Sequence, residues 1–468
     1  MRPLWGCALN VVAARVVDRW FFCIMSDLPP MLKWLDFAGK TQVLRENTWS
    51  VMRVSHLSLN NFRNYGRLEL QLSPGATLLI GDNAQGKTNL LEALYYLATT
   101  RSPHASQDSQ LINWTTAQST DPLSASRIIA NIETSGPAIQ AEMRLVLERR
   151  ANDQVTFRRE VLLNRRKVRL MDLIGQIQVV LFLPEDVGLV TGPPSERRRF
   201  LDITLCQIDR QYCRTLSKYN KVLEQRNALL RQFADGQGNL DVLAILTKSL
   251  VDLGRHIFAS RAAFFSSIDD DFKRIYFEEL TAGRETININ YLPRLRLKTN
   301  GSNGQEMVDD SAWLMEHQDD LEAIGRRFAE ALENARSFEL QRGSTAIGPH
   351  RDDWTFLVNG RDLSDFGSRG QQRSAILALK MTQIDWMTTL TGESPILLLD
   401  EVLAELDDVR RRQLLRYVQT AEQAILTATD PGMFSQEFLE SAVQFQVKQG
   451  TVQKVSSEPP ANDSGNQP

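Results

Sequence analysis

The sequence predicts an α/β P-loop nucleotide-binding fold with a mixed sheet, interrupted by a helical insertion. Three observations carry this prediction. A glycine-rich loop lies between a buried strand and a helix from Gly81, a second buried strand ends on the acids Asp400 and Glu401, and helical periodicity fills much of the interval between them. At 468 residues the chain has room for about three units of the usual ~150-residue size. With 42% hydrophobic residues, 24% charged residues and a net charge of -3, the composition is that of a globular protein, and global charge neither favours nor excludes a nucleic-acid partner. Cys7, Cys23, Cys206 and Cys213 form no CxxC pair and no zinc-ligand spacing, which suits a reducing cytoplasm.

Residues 1–51 have no clear period. Their apolar stretch is broken by Arg15, Asp18 and Arg19, no run nears the ~18 apolar residues of a membrane span, and no cleavage site follows a signal-peptide core. They are expected to be a non-native or disordered extension, with translation starting at Met1 or near Met52; a membrane-surface anchor and a short ordered extension are the alternatives. From Met52, RVSHLSLNNF and RLELQLS alternate like half-buried strands, and ATLLIG is a short buried strand ending in glycine. Residues 52–194 are thus the first part of a nucleotide-binding head. Residues 195–335 are an arm: Leu201, Leu205, Ile208, Tyr212, Leu216, Tyr219 and Leu223 share one helical face, and Leu250, Leu253 and Ile257 continue it after a DGQGN break. TININYLPRLRLKT alternates like strands. Residues 336–450 return to the head, and the polar, Pro- and Ser-rich segment 451–468 is expected to be a disordered tail.

The loop GDNAQGKTN supplies Gly81, Asp82, Asn83, Ala84, Gln85, Gly86, Lys87, Thr88 and Asn89 as candidate ATP-binding residues. Its glycines let backbone N–H groups turn inward around phosphate oxygens, and the following helix, LLEALYYLA, adds a favourable N-terminal field. Lys87 is expected to reach the β- and γ-phosphates and Thr88 to ligate Mg2+. In PILLLDEVLAELD, Asp400 is expected to hold the same Mg2+ through its water shell and Glu401 to orient or deprotonate the attacking water, which makes these two the catalytic candidates. A strand ending on a solvated acidic turn is the plainer reading of that pair.

Between these motifs lies DFGSRGQQRSAILALKMTQ, in which Ser368, Arg369, Gly370, Gln371 and Gln372 match the core of the ABC signature at the start of a helix. One triphosphate does not need two anion sites on one chain. In the ABC arrangement the signature of one subunit closes on the phosphates held by another, so ATP joins a head-to-tail homodimer. The fold class is therefore an ABC-type ATPase head with an inserted helical arm domain. An unliganded helix cap is the alternative for Ser368.

LSLNNFRNY, FLPEDVGLVTGPPSERRRFLD, GPHRDD and SRGQQRSAILALK, in this order, resemble the RecF family of SMC- and Rad50-like ATPases. The resemblance spans about residues 52–412. It implies a cytoplasmic, ATP- and Mg2+-binding protein of DNA repair, DNA replication and the SOS response to DNA damage. Such a protein binds single-stranded and gapped or junction DNA without sequence specificity and works with RecO- and RecR-like partners to load RecA. It also implies a weak, DNA-stimulated ATPase in which ATP binding matters more than turnover. Consistent with slow hydrolysis, the switch histidine of transporters is replaced by Thr427, Thr429 and Asp430 after AILTAT. Arg63 in NNFRNY reaches the nucleotide in related heads, although a plain surface arginine fits as well.

Between Arg149 and Arg169 eight basic residues face only two acids, so Arg158, Arg159, Arg165, Arg166 and Lys167 are candidate DNA contacts on a hairpin edge. A solvated charged face is the plainer reading. GPHRDD suits a turn held by local charge pairing or a functional contact, and Glu185 and Asp186 are placed in a loop that couples nucleotide state to the arm. Three rivals are weaker. A transporter subunit lacks the arm and needs the histidine, a Rad50-type nuclease partner needs hundreds of coiled-coil residues, and a vestigial scaffold would not keep Lys87, Thr88, Asp400 and Glu401.

Overall fold

The computed structural model describes residues 52–118, 121–149, 155–234, 236–297 and 305–455. The expectations for 1–51 and for 456–468 lie outside the described residues. Two six-stranded sheets form the head. The first is antiparallel, in the order β2-β1-β4-β5-β6-β7, from β1 (Arg53–Phe62), β2 (Tyr65–Gln71), β4 (Leu123–Glu133), β5 (Ile139–Arg149), β6 (Val155–Leu163) and β7 (Arg166–Val168). The second runs β15-β14-β3-β13-β12-β8, from β3 (Gly75–Ile80), β8 (Val179–Phe182), β12 (Ile396–Asp400), β13 (Gln423–Ala428), β14 (Val443–Lys448) and β15 (Thr451–Lys454). Its strands pair in parallel except β15, which turns back on β14. The tail expected from residue 451 therefore begins with an ordered edge strand: its alternation is too short to stand out in sequence, but β14 supplies its hydrogen bonds.

Helix α1 (Lys87–Thr99) lies between the two sheets. Its Leu90, Leu94 and Leu97 pack with Leu57 and Ile128 of the antiparallel sheet and with Leu79, Ile396, Leu398 and Ile425 of the parallel one. The alternate residues Leu78, Leu397, Leu399 and Leu426 turn to the opposite face and join the core shared with the arm. The period of two along each strand thus decides which layer each leucine fills.

The arm begins with α2 (Pro194–Ile208), α3 (Arg210–Ala234) and α4 (Leu240–Arg274), followed by a π-helical turn at Ile275–Leu280. The single apolar stripe expected from Leu201 to Leu223 crosses two helices. Asp209 breaks the backbone at φ −115, ψ 102 while its carboxylate accepts from Gln211 N at 2.7 Å, yet Leu201, Leu205, Tyr212 and Tyr219 remain in one core. Asn239 caps α4 by accepting from Asp241 N and Val242 N.

Among the described residues of TININYLPRLRLKT only β9 (Ile287–Leu292) is a strand, ending at Pro293, which has no N–H to continue the ladder. It pairs with β10 (Asp353–Val358), which pairs in turn with β11 (Arg361–Asp362). Helices α5 (Gln305–Glu316) and α6 (Leu321–Arg342) precede this return, so the boundary expected at 335/336 falls inside α6. Helices α7 (Arg369–Thr391) and α8 (Asp408–Thr420) complete the head. Among the described residues no helix is long and apolar enough to cross a membrane.

Candidate nucleotide site

The glycine loop leaves the C-terminal end of β3, where Gly81 N donates to Ala428 O at 3.3 Å. A side chain at Gly81 would meet Val447 O at 2.3 Å, so only glycine permits the close approach of β14. The loop turns through left-handed backbone at Ala84 (φ 64) and Gly86 (φ 115), and α1 starts at Lys87. Its outer face is braced by the β1–β2 turn: Asn64 Nδ2 donates to Gln85 O at 2.9 Å, Tyr65 OH to Gly86 O at 2.9 Å, and Asn89 Nδ2 to Asn64 Oδ1 at 2.8 Å. Gly450 N and Gln449 N donate to Gln85 from the β14–β15 turn. Asn64 and Tyr65, which follow the charged Arg63 in NFRNY, thus hold the loop, a bracing role that the motif's composition does not spell out.

Lys87, 3% exposed, donates to Gly81 O at 2.6 Å and Asp82 O at 3.0 Å and pairs with Glu401 Oε1 at 2.9 Å. Thr88 Oγ1 donates to Asp400 Oδ1 at 3.0 Å, and Thr427 Oγ1 donates to the same oxygen at 2.7 Å. Burial pushes the Asp400 carboxyl above its ordinary range, against the pull of these two hydroxyls. Thr427 also accepts from Glu401 N at 2.9 Å, while Glu401 adopts left-handed backbone at φ 50. So β3, α1, β12 and β13 bring Lys87, Thr88, Asp400, Glu401 and Thr427 together. Thr88 Oγ1 and Asp400 Oδ1 form the hard-oxygen pair that suits Mg2+ beside a triphosphate.

Arg63 stands elsewhere. Its guanidinium is engaged twice, at 2.7 Å each, by the buried Glu92 of α1, and it donates to Gln110 O at 3.3 Å. Glu92, 1% exposed, also accepts from Ser102 Oγ at 2.5 Å. The buried Glu92 carboxylate needs a cation, and Arg63 supplies it.

Ser368 caps α7. Its Oγ accepts from Gln371 N at 3.2 Å, and Gln371 Oε1 accepts from Ser368 N at 2.9 Å, a reciprocal capping box. Gln371 Nε2 reaches Glu285 Oε1 of the arm at 2.9 Å, and Tyr276 OH, in the π-helical turn, donates to Glu285 Oε2 at 2.9 Å. Ser368 and Arg369 are exposed, whereas Gln372 is 8% exposed and bonds inward to Gly367 O at 3.3 Å. Among the described residues no hydrogen bond or ion pair joins Ser368–Gln372 to the loop Gly81–Asn89.

The basic hairpin forms with Asn164 and Arg165 in left-handed turn geometry, but much of its charge is neutralised. Arg158 pairs with Glu160 and with Glu148 at 3.3 Å, Lys167 with Glu160 at 3.1 Å, and Arg159 with Asp108 at 2.8 Å. Arg165 and Arg166 are exposed at the tip, with no ion pair to a described residue; Arg150 lies outside the described residues. In GPHRDD the pairing is long-range rather than local: Asp352 meets Arg261 at 2.8 Å and Asp353 meets Arg197 at 2.6 Å. Glu185 and Asp186 lie in a 3-10 turn rather than an open loop, where Asp186 pairs with Lys380 of α7 at 3.3 Å.

The family described as RecF/RecN/SMC N terminal domain matches residues 53–454. The DNA replication and repair protein RecF of Chloroflexus aurantiacus is 41% identical over 410 residues, covering 86% of this chain and 99% of its own. That of Latilactobacillus sakei is 35% identical over 408 residues, covering 87% and 100%. The solved structure of the recombination mediator protein RecF with ATP, in the RecFOR pathway, is 26% identical with a TM-score of 0.72, covering 88% of this chain and 100% of that one. The α/β ABC ATPase head expected from the motifs agrees with these likenesses.

Proposed function

Because the chain belongs to the RecF family of SMC-like ATPases, a family of DNA replication and repair proteins, we propose that it is an ATP-driven clamp that closes on DNA as a homodimer. The observation that carries this reading is the presence of two anion-binding arrangements on one chain. The loop with Lys87 and Thr88 is one and the Ser368-capped N-terminus of α7 is the other, with no bond between them. Two copies placed head to tail would close each loop with the other's signature.

Within a closed site Lys87 exchanges Glu401 for the terminal phosphate, and the released carboxylate orients or deprotonates the attacking water. Thr88 and Asp400 would hold Mg2+, which would neutralise phosphate charge. Thr427, Thr429 and Asp430 stand where a transporter carries its switch histidine, and Thr427 hydrogen-bonds Asp400 rather than supplying a second proton carrier, in keeping with slow, DNA-stimulated turnover. The clamp binds single-stranded and gapped or junction DNA in the cytoplasm through phosphates, with Arg165 and Arg166 foremost. It acts with RecO- and RecR-like mediators to load RecA in recombinational repair, replication restart and the SOS response.

The test is solution mass with and without ATP, Mg2+ and a gapped duplex, for wild type, Lys87→Ala and Ser368→Arg. Wild type should double in mass only with ATP and then hold DNA more tightly, while both variants stay single. Mass and DNA affinity that ignore ATP would leave a scaffold that binds nucleotide for another purpose.

A further inference from the structure

The space in front of the signature glycine is bounded by more than the signature itself. A carbon added at Gly370 would lie 3.7 Å from Arg410 Nη2 and 3.9 Å from Ser368 Oγ, its nearest neighbours beyond the local helix backbone. A hydroxyl, a guanidinium and the N-terminus of a 23-residue helix therefore border one small opening. Arg410 comes from α8, the helix that follows the acids of β12 in the chain.

The hydrogen bonds of Arg410 show which of its nitrogens is left over. Nε donates to Ser374 Oγ at 2.6 Å, and Ser374 Oγ in turn donates to Gly370 O at 3.1 Å, so the guanidinium is anchored on the first turns of α7. Nη1 donates to Asp407, whose other oxygen caps α8 by accepting from Arg410 N at 3.0 Å. Nη2, the nitrogen that faces Gly370, has no acceptor among the described residues. A guanidinium is planar, so fixing Nε and Nη1 also fixes the direction of Nη2. The neighbouring Arg373 differs: Glu405 accepts from both of its terminal nitrogens.

We propose that Arg410 is a further phosphate-binding residue, which presents Nη2 beside Gly370 to the terminal phosphate of a nucleotide held by a second copy of the chain. This rests on the head-to-tail reading above and extends it. Ser368 and the α7 N-terminus offer neutral dipoles, whereas Arg410 adds a full positive charge on the signature side. It acts on ATP and not on ADP, because only the terminal phosphate reaches that half of the site.

The experiment is an ATP titration of solution mass, in Mg2+ and without DNA, for wild type, Arg410→Ala, Arg410→Lys and Ser374→Ala, with the nucleotide-free melting temperature recorded for each. Losing a charge-assisted contact to phosphate should raise the ATP concentration for half-maximal doubling about tenfold or more in Arg410→Ala. Arg410→Lys, which keeps the charge without the fork, should fall between wild type and Arg410→Ala. Ser374→Ala, which loosens the anchor but keeps the guanidinium, should shift the midpoint by less than Arg410→Ala. Doubling of Arg410→Ala at wild-type ATP concentrations overturns the proposal. So does a lysine variant no better than alanine when both have lost melting temperature before nucleotide is added, since Arg410 is then a brace for α7 and α8. A wild type that never doubles with ATP removes the dimer reading itself, a result distinct from either.

Discussion

Arg261 of α4 and Asp352 beside β10 form an ion pair at 2.8 Å with side chains only 1% and 2% exposed, joining the arm to the returning head strand. Asp352 also accepts from Tyr291 OH at 2.6 Å and Arg294 N at 2.8 Å, and Arg261 also donates to Asp202 and to Pro349 O. Asp352→Ala would leave a buried guanidinium, a phenol and an amide without their shared acceptor. Breaking a buried pair from one side costs roughly 3–5 kcal/mol. Urea unfolding should show a loss of that order, while the paired change Arg261→Met with Asp352→Leu should cost less than Asp352→Ala alone. A loss below about 1 kcal/mol for Asp352→Ala would mean that the hub relaxes around water.

His350 gives the arm junction a dependence on pH. Its Nε2 lies 3.2 Å from Thr345 O, which can only accept, so Nε2 carries the proton and Nδ1 accepts from Tyr219 OH at 2.8 Å. Burial, with the charges of Arg351, Arg198 and Arg261 adding to it, pulls the imidazole down to about 3. In the unfolded chain it titrates near its ordinary value of about 6.5. Between these two values the unfolded chain binds the extra proton. The stabilisation is therefore complete above about pH 6.5 and is lost as pH falls below it, by up to ~1.4 kcal/mol per pH unit. Denaturant midpoints of wild type and His350→Gln, compared from pH 7 to pH 5, should converge as pH falls. Parallel curves would mean that His350 takes up its proton over the same pH range folded and unfolded.

How much of this was legible depended on sequence separation. The phosphate loop could be read because strand, glycines and helix are contiguous from Gly75 to Thr99, and β12 because four aliphatic residues run straight into Asp400. The bond between Arg63 and Glu92 could not. Each residue looks exposed-capable in its own element, and only the layering of β1 over α1 buries the glutamate. The same holds for Arg158 and Glu148, which meet because β5 and β6 pair in a register that sets Val146 opposite Arg158. The break at Asp209 leaves no mark in the sequence because the apolar stripe continues in phase across it. GPHRDD suits a local turn as well as a functional contact in sequence, whereas its acids answer arginines 91 and 156 residues away.

Glu401 faces Lys87 at 2.9 Å with the strain of a left-handed residue behind it, which suits a carboxylate aimed across the site. Glu401→Gln keeps the side chain's shape and removes the base. Phosphate release under saturating ATP should fall by roughly 10²–10⁴ if Glu401 activates water. Nucleotide affinity should be kept or should rise, because Lys87 loses its competing anion. An unchanged rate would assign water activation to another group.

The hairpin between β6 and β7 separates two kinds of arginine. Arg158, Arg159 and Lys167 already face carboxylates of this chain, whereas Arg165 and Arg166 stand exposed at the turn without an ion pair to a described residue. A phosphate contact releases condensed counterions, so each one steepens the fall of affinity with salt by about 0.9 on duplex DNA and about 0.7 on single strands. Substituting Arg165 and Arg166 together with alanine should therefore flatten the slope of log affinity against log salt by nearly two contacts' worth on a gapped duplex. The loss should be equal across unrelated sequences. Arg158→Ala or Lys167→Ala should change the slope by much less, because Glu160 and Glu148 take up the charge that phosphate would otherwise meet. A double variant whose slope matches wild type would move the DNA-binding face off this hairpin, and a larger effect from Arg158 than from the tip would show that its carboxylate partners release it when DNA arrives.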